Sequence, residues 1–187
     1  MRELPRRSVH ALGALIPLSW LVVGVPWRWV QYFLLAGLAL GVVLESLRLS
    51  GRADWRIFRA LIREYERENP AGYFLYAVGM TVTGLVFPPL VAAPAMLMLT
   101  LADPFSGLLY AGGLGRKPAP VIALTFLACL SIAVLADVPL VPAALGALAA
   151  ALADGATPVI RGYVIDDNAT IPIVAAAAMW IGVALVP

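Results

Sequence analysis

Residues 120–153 read PVIALTFLACLSIAVLADVPLVPAALGALAAALA, and Asp137 is the one charged residue among them. A helix needs about 20 apolar residues to cross the roughly 30 Å hydrocarbon core of a bilayer. The stretch therefore predicts two membrane helices, over residues 120–136 and 140–153, joined by a tight turn at residues 137–139. The second helix is short for a complete crossing, which indicates that its end lies in protein or faces a wet cavity.

The rest of the chain repeats this apolar pattern. Further apolar segments cover residues 9–25, 29–47, 71–87, 90–102 and 171–186. Of the 187 residues, 62% are hydrophobic and 13% are charged, whereas a soluble domain carries about 25% charged residues. This composition excludes a water-soluble monomer and leaves no length for a catalytic domain outside the membrane. We expect an all-α polytopic membrane protein with about seven transmembrane helices, forming a single domain over residues 1–187.

The basic residues indicate how the helices are oriented. All of the 13 lysines and arginines except Arg28 fall in segments on one side of the predicted topology. Such residues concentrate on the cytoplasmic side of membrane proteins, so we expect an integral protein of the cell membrane with a cytoplasmic N-terminus. The external turns are too short to bind a polar ligand, which places any active site on the cytoplasmic side. The net charge of +2 and the lack of a nucleic-acid-binding pattern indicate no nucleic-acid partner.

The segment 54–68 has a different pattern. Its apolar residues recur every three or four positions and its arginines occupy the opposite side, which predicts an amphipathic helix lying in the membrane interface. The apolar residues are Trp55, Phe58, Leu61, Ile62 and Tyr65, and the arginines are Arg56, Arg59, Arg63 and Arg67. A lid over a phosphate-binding cavity is the alternative interpretation.

Ionisable residues near the inner ends of the helices are the candidates for function, because charge is costly next to lipid. The acidic members are Glu45, Asp103, Asp154, Asp166 and Asp167, and the other polar members are Arg6, His10, Arg48, Arg116, Lys117, Arg161 and Asn168. Several carboxylates can hold a hard divalent cation such as Mg²⁺, which prefers oxygen ligands and bridges to phosphate oxygens. Arginine and lysine can neutralise a phosphate chain. The pattern therefore indicates a metal-assisted reaction of a phosphate compound.

Each of these features also has a simpler interpretation. The glycine-rich run 112–115 before Arg116 lacks the Walker spacing of a phosphate loop. Glu45 and Arg48 are three residues apart, which is the spacing of an ion pair at a helix end. His10 alone is equally compatible with a packing role. A zinc site is disfavoured, because the chain has one histidine and one cysteine on separate segments.

Four blocks of sequence together resemble a known family. They are Glu3-Leu-Pro-Arg6-Arg7-Ser-Val-His10; Leu44-Glu45-Ser-Leu-Arg48; Ala102-Asp103-Pro-Phe-Ser106-Gly107 with Gly115-Arg116-Lys117; and Asp154-Gly-Ala-Thr-Pro158 leading to Asp167-Asn168-Ala-Thr-Ile-Pro172. In content and order they are similar to the CTP-dependent polyprenol kinase family, which includes dolichol kinases, phytol kinases and a CTP-dependent diacylglycerol kinase. The chain departs from the family in two places: Lys117 runs straight into the next span without a longer basic loop, and Asp154 stands where glutamate is common.

The resemblance implies a kinase that transfers the γ-phosphate of CTP to the hydroxyl of a membrane isoprenoid alcohol of the dolichol, polyprenol, geranylgeraniol or phytol type. It implies Mg²⁺ as the cofactor and Asp103, Asp154 and Asp167 as the catalytic residues, which divide the work of holding the cation and accepting the hydroxyl proton, with no one of them assigned as the base. The residues implied to bind the nucleotide are Arg6, Arg116, Lys117, Arg161 and Asn168, and those implied to bind the alcohol are His10, Glu45 and Arg48.

Three alternatives use parts of the same pattern. A diacylglycerol-type lipid kinase would differ in its acceptor, and a lipid-phosphate cytidylyltransferase would use the same metal and nucleotide but release pyrophosphate. A small transporter would need acidic groups along a path across the membrane, including Asp137 on the outer side. The acids fall mainly on one side, which favours an enzyme. An oligomer is compatible with the sequence.

Overall fold

The computed structural model of the protein describes residues 10–52, 62, 66, 69–110, 115–156, 158–160, 163–164 and 166–186. Arg6, Arg161 and nearly all of the predicted interfacial helix at 54–68 lie outside these residues. The described helices are α1 (Leu15–Leu21), α2 (Trp27–Leu49), α3 (Gly72–Val86), α4 (Pro89–Leu97), α5 (Asp103–Leu109), α6 (Ala119–Leu135), α7 (Leu140–Gly155) and α8 (Asp167–Leu185). A π-helical segment, Met98–Ala102, joins α4 to α5. Two short strands, β1 (Val159–Ile160) and β2 (Tyr163–Val164), pair antiparallel between α7 and α8.

Among the described residues, three helical stretches are long and apolar enough to cross a membrane. They are Trp27–Leu49, Pro89–Leu109 and Asp167–Leu185. Shorter apolar helices cover His10–Leu21, Gly72–Val86, Ala119–Leu135 and Leu140–Gly155. The predicted helical fold is confirmed, and three of its helices could cross a membrane, whereas the seven crossings stay a prediction.

The outer surface of the bundle is apolar. Exposed large side chains include Tyr32, Phe33 and Leu40 of α2, Leu135 of α6 and Ile181 of α8. Soluble monomers rarely expose apolar surface on this scale. Such a surface suits contact with lipid chains, in agreement with three helices long and apolar enough to cross a membrane.

The centre of the bundle is α4 and the π-helical segment that follows it. Every residue from Val91 to Thr100 is buried. The last helix, α8, packs extensively against α7 and α3. The contact with α3 is close because Gly79 has no side chain: a Cβ there would lie 2.6 Å from the carbonyl oxygen of Asn168. Small residues allow membrane helices to approach in this way, and here the approach sets the position of the start of α8.

The fourth apolar segment continues farther than the sequence predicted. We expected it to end at residue 102, but the chain passes through the π-helical segment into α5 and ends at Leu109. Pro104 has no N–H, and its ring crowds the carbonyl of Thr100 in a regular helix; the wider π turn accommodates both. Asp103 therefore lies inside a continuous helical stretch and not in a loop.

Two other predicted boundaries were wrong in the same direction. We expected the spans on either side of the last loop to end at residue 153 and begin at residue 171. Instead α7 runs to Gly155 and contains Asp154, while α8 begins at Asp167. Asp166 accepts the backbone N–H of Asn168, and this N-cap explains the early start of α8. The acids are consequently held by helices.

Candidate functional site

Three aspartates from three helical elements meet at one end of the bundle. Asp103 begins α5, Asp154 lies in the last turn of α7, and Asp167 begins α8. Each offers a carboxylate oxygen, and these oxygens all lie within 4.8 Å of one another. We call the three residues the aspartate cluster. It forms because the chain runs toward this end of the bundle in α4, α5 and α7 and turns back from it in α8.

Asp154 is enclosed by the protein. It is 2% exposed. The hydroxyl of Ser106 donates a hydrogen bond of 2.6 Å to its Oδ2, and the ammonium of Lys117 lies 2.7 Å from its Oδ1. Lys117 Nζ also donates to Ser106 Oγ at 2.9 Å. These three residues form a closed triangle that holds the Asp154 carboxylate in one orientation.

The backbone around Lys117 is tied to the end of α7. The N–H of Lys117 donates to the carbonyl of Gly155 at 2.9 Å, and Arg116 forms an antiparallel bridge with Ala156. Arg116 itself is exposed. Residues 116 and 117 are therefore held beside Asp154, with the Lys117 side chain directed into the aspartate cluster and the Arg116 side chain at the surface.

His10 is far from the three aspartates in the sequence, but in the structure it borders the aspartate cluster at Asp103. Its Nε2 is 3.8 Å from Asp103 Oδ2 and 3.0 Å from the carbonyl oxygen of Leu99. A carbonyl cannot donate, so Nε2 carries the proton of that hydrogen bond. The ring also packs edge-on against Tyr76, with centroids 4.6 Å apart. His10 is thus a packed residue whose ring borders the cluster at Asp103.

Asp166 and Asn168 flank Asp167 but have a different role in the fold. Asp166 Oδ1 accepts the backbone N–H of Asn168 at 3.0 Å and its side-chain amide at 2.5 Å. Both residues are buried. Gly72 of α3 lies against them, since a Cβ there would be 3.0 Å from Asn168 Nδ2. These contacts fix the first turn of α8 and so fix the direction of Asp167.

Glu45 and Arg48 form a buried ion pair that holds the segment leading into α3. Arg48 Nη2 lies 2.6 Å from Glu45 Oε1 and Nε lies 2.9 Å from Oε2. Arg48 donates to the carbonyl of Asn69 at 2.7 Å, while Glu45 accepts the N–H of Ala71 at 2.8 Å and the hydroxyl of Tyr73 at 2.5 Å. The ion-pair interpretation of these two residues is confirmed. Their contact with an alcohol stays a prediction.

The donor set of the aspartate cluster fits a hard divalent cation. Two oxygens bound to one Mg²⁺ are at most about 4.2 Å apart, and two bound to one Ca²⁺ at most about 5.2 Å. The cluster's limit of 4.8 Å lies between these values. The spacing of the three oxygens is therefore in the range for a divalent cation. A bound cation would also offset the mutual repulsion of carboxylates held this close together.

Sequence reasoning missed the part that Ser106 has in the site. Ser106 belongs to the sequence block that begins at Ala102, but we expected no contact from it because Asp103 and the residues after it were assigned to a loop. Asp103 and Ser106 are three residues apart, and residues at that spacing share a helix face. A helical reading of the Asp103 segment would have placed Ser106 with the acids.

Comparison with known proteins adds no relative to this description. No protein-family model, no curated protein and no solved structure matches the chain. The aspartate cluster, its neighbours and the sequence blocks are therefore the basis for a functional proposal.

Proposed function

We propose that the chain is a CTP-dependent kinase of a membrane isoprenoid alcohol, acting at the cytoplasmic face of the cell membrane. The observation that carries the proposal is the aspartate cluster: Asp103, Asp154 and Asp167 offer oxygens within 4.8 Å of one another. Lys117 lies against the same group, with its ammonium 2.7 Å from Asp154. Carboxylates beside a basic group suit the transfer of a phosphoryl group, which depends mainly on positioning and charge neutralisation.

In the proposed reaction, the hydroxyl oxygen of the alcohol attacks the γ-phosphorus of CTP. The bond from that phosphorus to the bridging oxygen breaks, CDP leaves, and the hydroxyl proton passes to one aspartate of the cluster. Mg²⁺ bound by the cluster would neutralise the phosphate oxygens. Asp103, Asp154 and Asp167 divide the work of holding the cation and accepting the proton. The cations that we propose for the phosphate chain are Lys117 and Arg116, with Arg6 and Arg161.

The proposed arrangement in the membrane follows from the same residues. Seven crossings with a cytoplasmic N-terminus put the aspartate cluster at the cytoplasmic headgroup level. The hydroxyl of a long isoprenoid lies at that level, while its chain stays in the bilayer. We propose that Asn168 helps to fix the nucleotide, and that His10, Glu45 and Arg48 form the approach of the alcohol. Glu45 and Arg48 are buried, so they would shape this approach indirectly, by holding the residues just before Gly72.

A transfer assay tests the proposal. Purified protein is incubated with CTP labelled at the γ-phosphate, Mg²⁺, and dolichol, geranylgeraniol, phytol or diacylglycerol in separate reactions. We expect label in an isoprenoid lipid and release of CDP, with Asp167→Asn as the inactive control. No labelled lipid from any of the four acceptors would overturn the proposal.

The same assay, repeated with a lipid phosphate and with CTP labelled at the α-phosphate, separates the neighbouring chemistries. Labelling of diacylglycerol alone would identify a diacylglycerol-type kinase. A cytidylyltransferase would require a lipid phosphate and would transfer label from the α-phosphate, with release of pyrophosphate. Flux of ions or solutes into liposomes without any lipid product would indicate a transporter.

A further inference from the structure

Lys117 is placed where its charge competes with a metal ion. Its ammonium lies 2.7 Å from Asp154 Oδ1 and 2.9 Å from Ser106 Oγ, and its side chain is 16% exposed. The Asp154 side chain is 1% exposed. The ammonium therefore neutralises part of the charge of the aspartate cluster in an environment where screening by water is weak.

Both oxygens of Asp154 are engaged by the protein itself. Oδ1 accepts from Lys117 and Oδ2 accepts from Ser106. A hydroxyl is neutral and leaves a further lone pair on Oδ2, but an ammonium on Oδ1 repels a second cation at short range. A divalent ion that binds Asp154 together with Asp103 and Asp167 must overcome this repulsion or displace the ammonium.

The ammonium can be displaced without a change in the backbone at residues 116 and 117. Lys117 is anchored by its N–H to the carbonyl of Gly155, and the preceding residue, Arg116, pairs with Ala156. The anchor holds the α-carbon, whereas the ammonium sits at the end of a flexible four-carbon stem. The ammonium can consequently leave Asp154 while the α-carbon of Lys117 stays beside the cluster.

We propose that Lys117 is an exchangeable counter-ion of the aspartate cluster. It neutralises Asp154 before a metal binds, a divalent cation displaces it, and the released ammonium then contacts the phosphate chain of the nucleotide. The second half of this inference rests on the proposed function. The exchange links the two binding events, because the metal frees the group that the nucleotide needs.

Removal of the ammonium should therefore have opposite effects on the two ligands. Lys117→Met preserves much of the stem and deletes the charge. Binding of Mn²⁺ alone should become tighter by about tenfold or more, since a unit charge in direct contact with one ligand is lost. Binding of CTP in saturating Mn²⁺ should become weaker by about tenfold, since a charge-assisted contact to phosphate is lost.

The experiment measures both affinities with the full-length protein in detergent or nanodiscs. Free Mn²⁺ is followed by its electron paramagnetic resonance signal, and CTP by equilibrium dialysis of the labelled nucleotide. Arg116→Met is the matched control for net charge, because Arg116 is exposed and its pairing with Ala156 is through the backbone. Its Mn²⁺ affinity should stay within about twofold of the wild type, since the charge is solvated. Lys117→Arg should also stay near the wild type for Mn²⁺.

Each outcome decides the matter. Unchanged or weaker Mn²⁺ binding in Lys117→Met would overturn the counter-ion assignment, and an equal gain in Arg116→Met would assign the effect to net charge and overturn it as well. Tighter Mn²⁺ binding with unchanged CTP affinity in Lys117→Met would overturn the exchange. If the wild type binds no Mn²⁺, the metal site and the exchange both fail. If the Mn²⁺ results agree but no lipid is phosphorylated, the kinase proposal fails while the counter-ion remains.

Discussion

Ser106 on α5 donates a hydrogen bond to Asp154 on α7, with 2.6 Å between Ser106 Oγ and Asp154 Oδ2. The two residues are 48 positions apart in the chain, and both are buried. The same hydroxyl accepts from Lys117. Ser106 is therefore the group through which α5 fixes the carboxylate of a neighbouring helix. In the proposed reaction it would be a positioning residue for Asp154.

The first prediction concerns this hydrogen bond. Ser106→Ala removes the donor and leaves Asp154 Oδ2 with one partner fewer, at a cost of about 1–3 kcal/mol in the free energy of unfolding. We expect kcat for phosphoryl transfer to fall by about tenfold, because a misplaced catalytic group loses part of the orientation effect. Kinetics and denaturant unfolding on the same preparation check both values. Full activity would show that Asp154 does not depend on Ser106.

The second prediction concerns the close contact between α3 and α8. Gly79→Ala would place a methyl group 2.6 Å from the Asn168 carbonyl oxygen and 3.0 Å from Ala169 Cα. Backbone atoms cannot yield as a flexible side chain does, so α8 must shift and carry Asp167 with it. We expect a loss of about 1–3 kcal/mol together with reduced activity.

A glycine on the exposed surface of α2 supplies the control for Gly79. Gly37 lies within α2, and a Cβ there would meet nothing within 4 Å. Gly37→Ala should preserve activity and leave stability unchanged or higher by up to about 1 kcal/mol, as expected from helix propensity. Equal losses for the two variants, measured by thermal unfolding in detergent, would contradict the contact argument.

The convergence of Asp103, Asp154 and Asp167 at one end of the bundle could be anticipated from the sequence. It needs only the direction of each apolar helix and the position of the acid at its end, and both follow from hydropathy and from the distribution of arginines. The helical state of the Asp103 segment could not be anticipated, because proline usually ends a helix. The π turn that admits Pro104 is stabilised by burial in the centre of the bundle, which is a tertiary effect.

The place of Lys117 illustrates the same limit. From the sequence, Lys117 and Arg116 were equivalent basic residues for a phosphate chain. Their different surroundings arise from the contacts of residues 116 and 117 with the end of α7. Such a pairing between distant segments leaves no periodic signal in either one, so hydropathy and charge patterns do not reveal it.

The third prediction concerns the buried pair of Glu45 and Arg48, whose side chains are 5% and 6% exposed. Arg48→Met leaves a buried carboxylate without its ion pair, which costs roughly 3–5 kcal/mol. The double variant Glu45→Leu with Arg48→Met removes both charges and should be less destabilised than the single variant. Unfolding of both proteins and of Glu45→Leu alone completes the cycle. Additive losses would show that the two side chains do not interact.

The fourth prediction concerns orientation in the membrane. Single cysteines replace the exposed residues Arg116 and Pro139 at opposite ends of α6 and α7, in a Cys129→Ala background. An impermeant maleimide added to intact cells should label position 139 and not position 116, because basic residues concentrate on the cytoplasmic side of membrane proteins. Both positions should react after permeabilisation. The reverse pattern would contradict a cytoplasmic aspartate cluster.

The fifth prediction separates two adjacent acids. Asp166 caps α8 by accepting from Asn168, whereas Asp167 joins the aspartate cluster. Asp166→Ala should lower stability by about 0.5–2 kcal/mol through loss of the cap, and Asp166→Asn should restore it because asparagine caps equally well. Asp167→Asn should leave the helix start intact and reduce phosphoryl transfer by about a hundredfold or more, since a charge that stabilises the transition state is lost. Thermal unfolding and lipid phosphorylation of the three variants give the comparison. If Asp166→Asn were as inactive as Asp167→Asn, the charge of Asp166 would belong to the reaction, and the division of roles along this turn would be wrong.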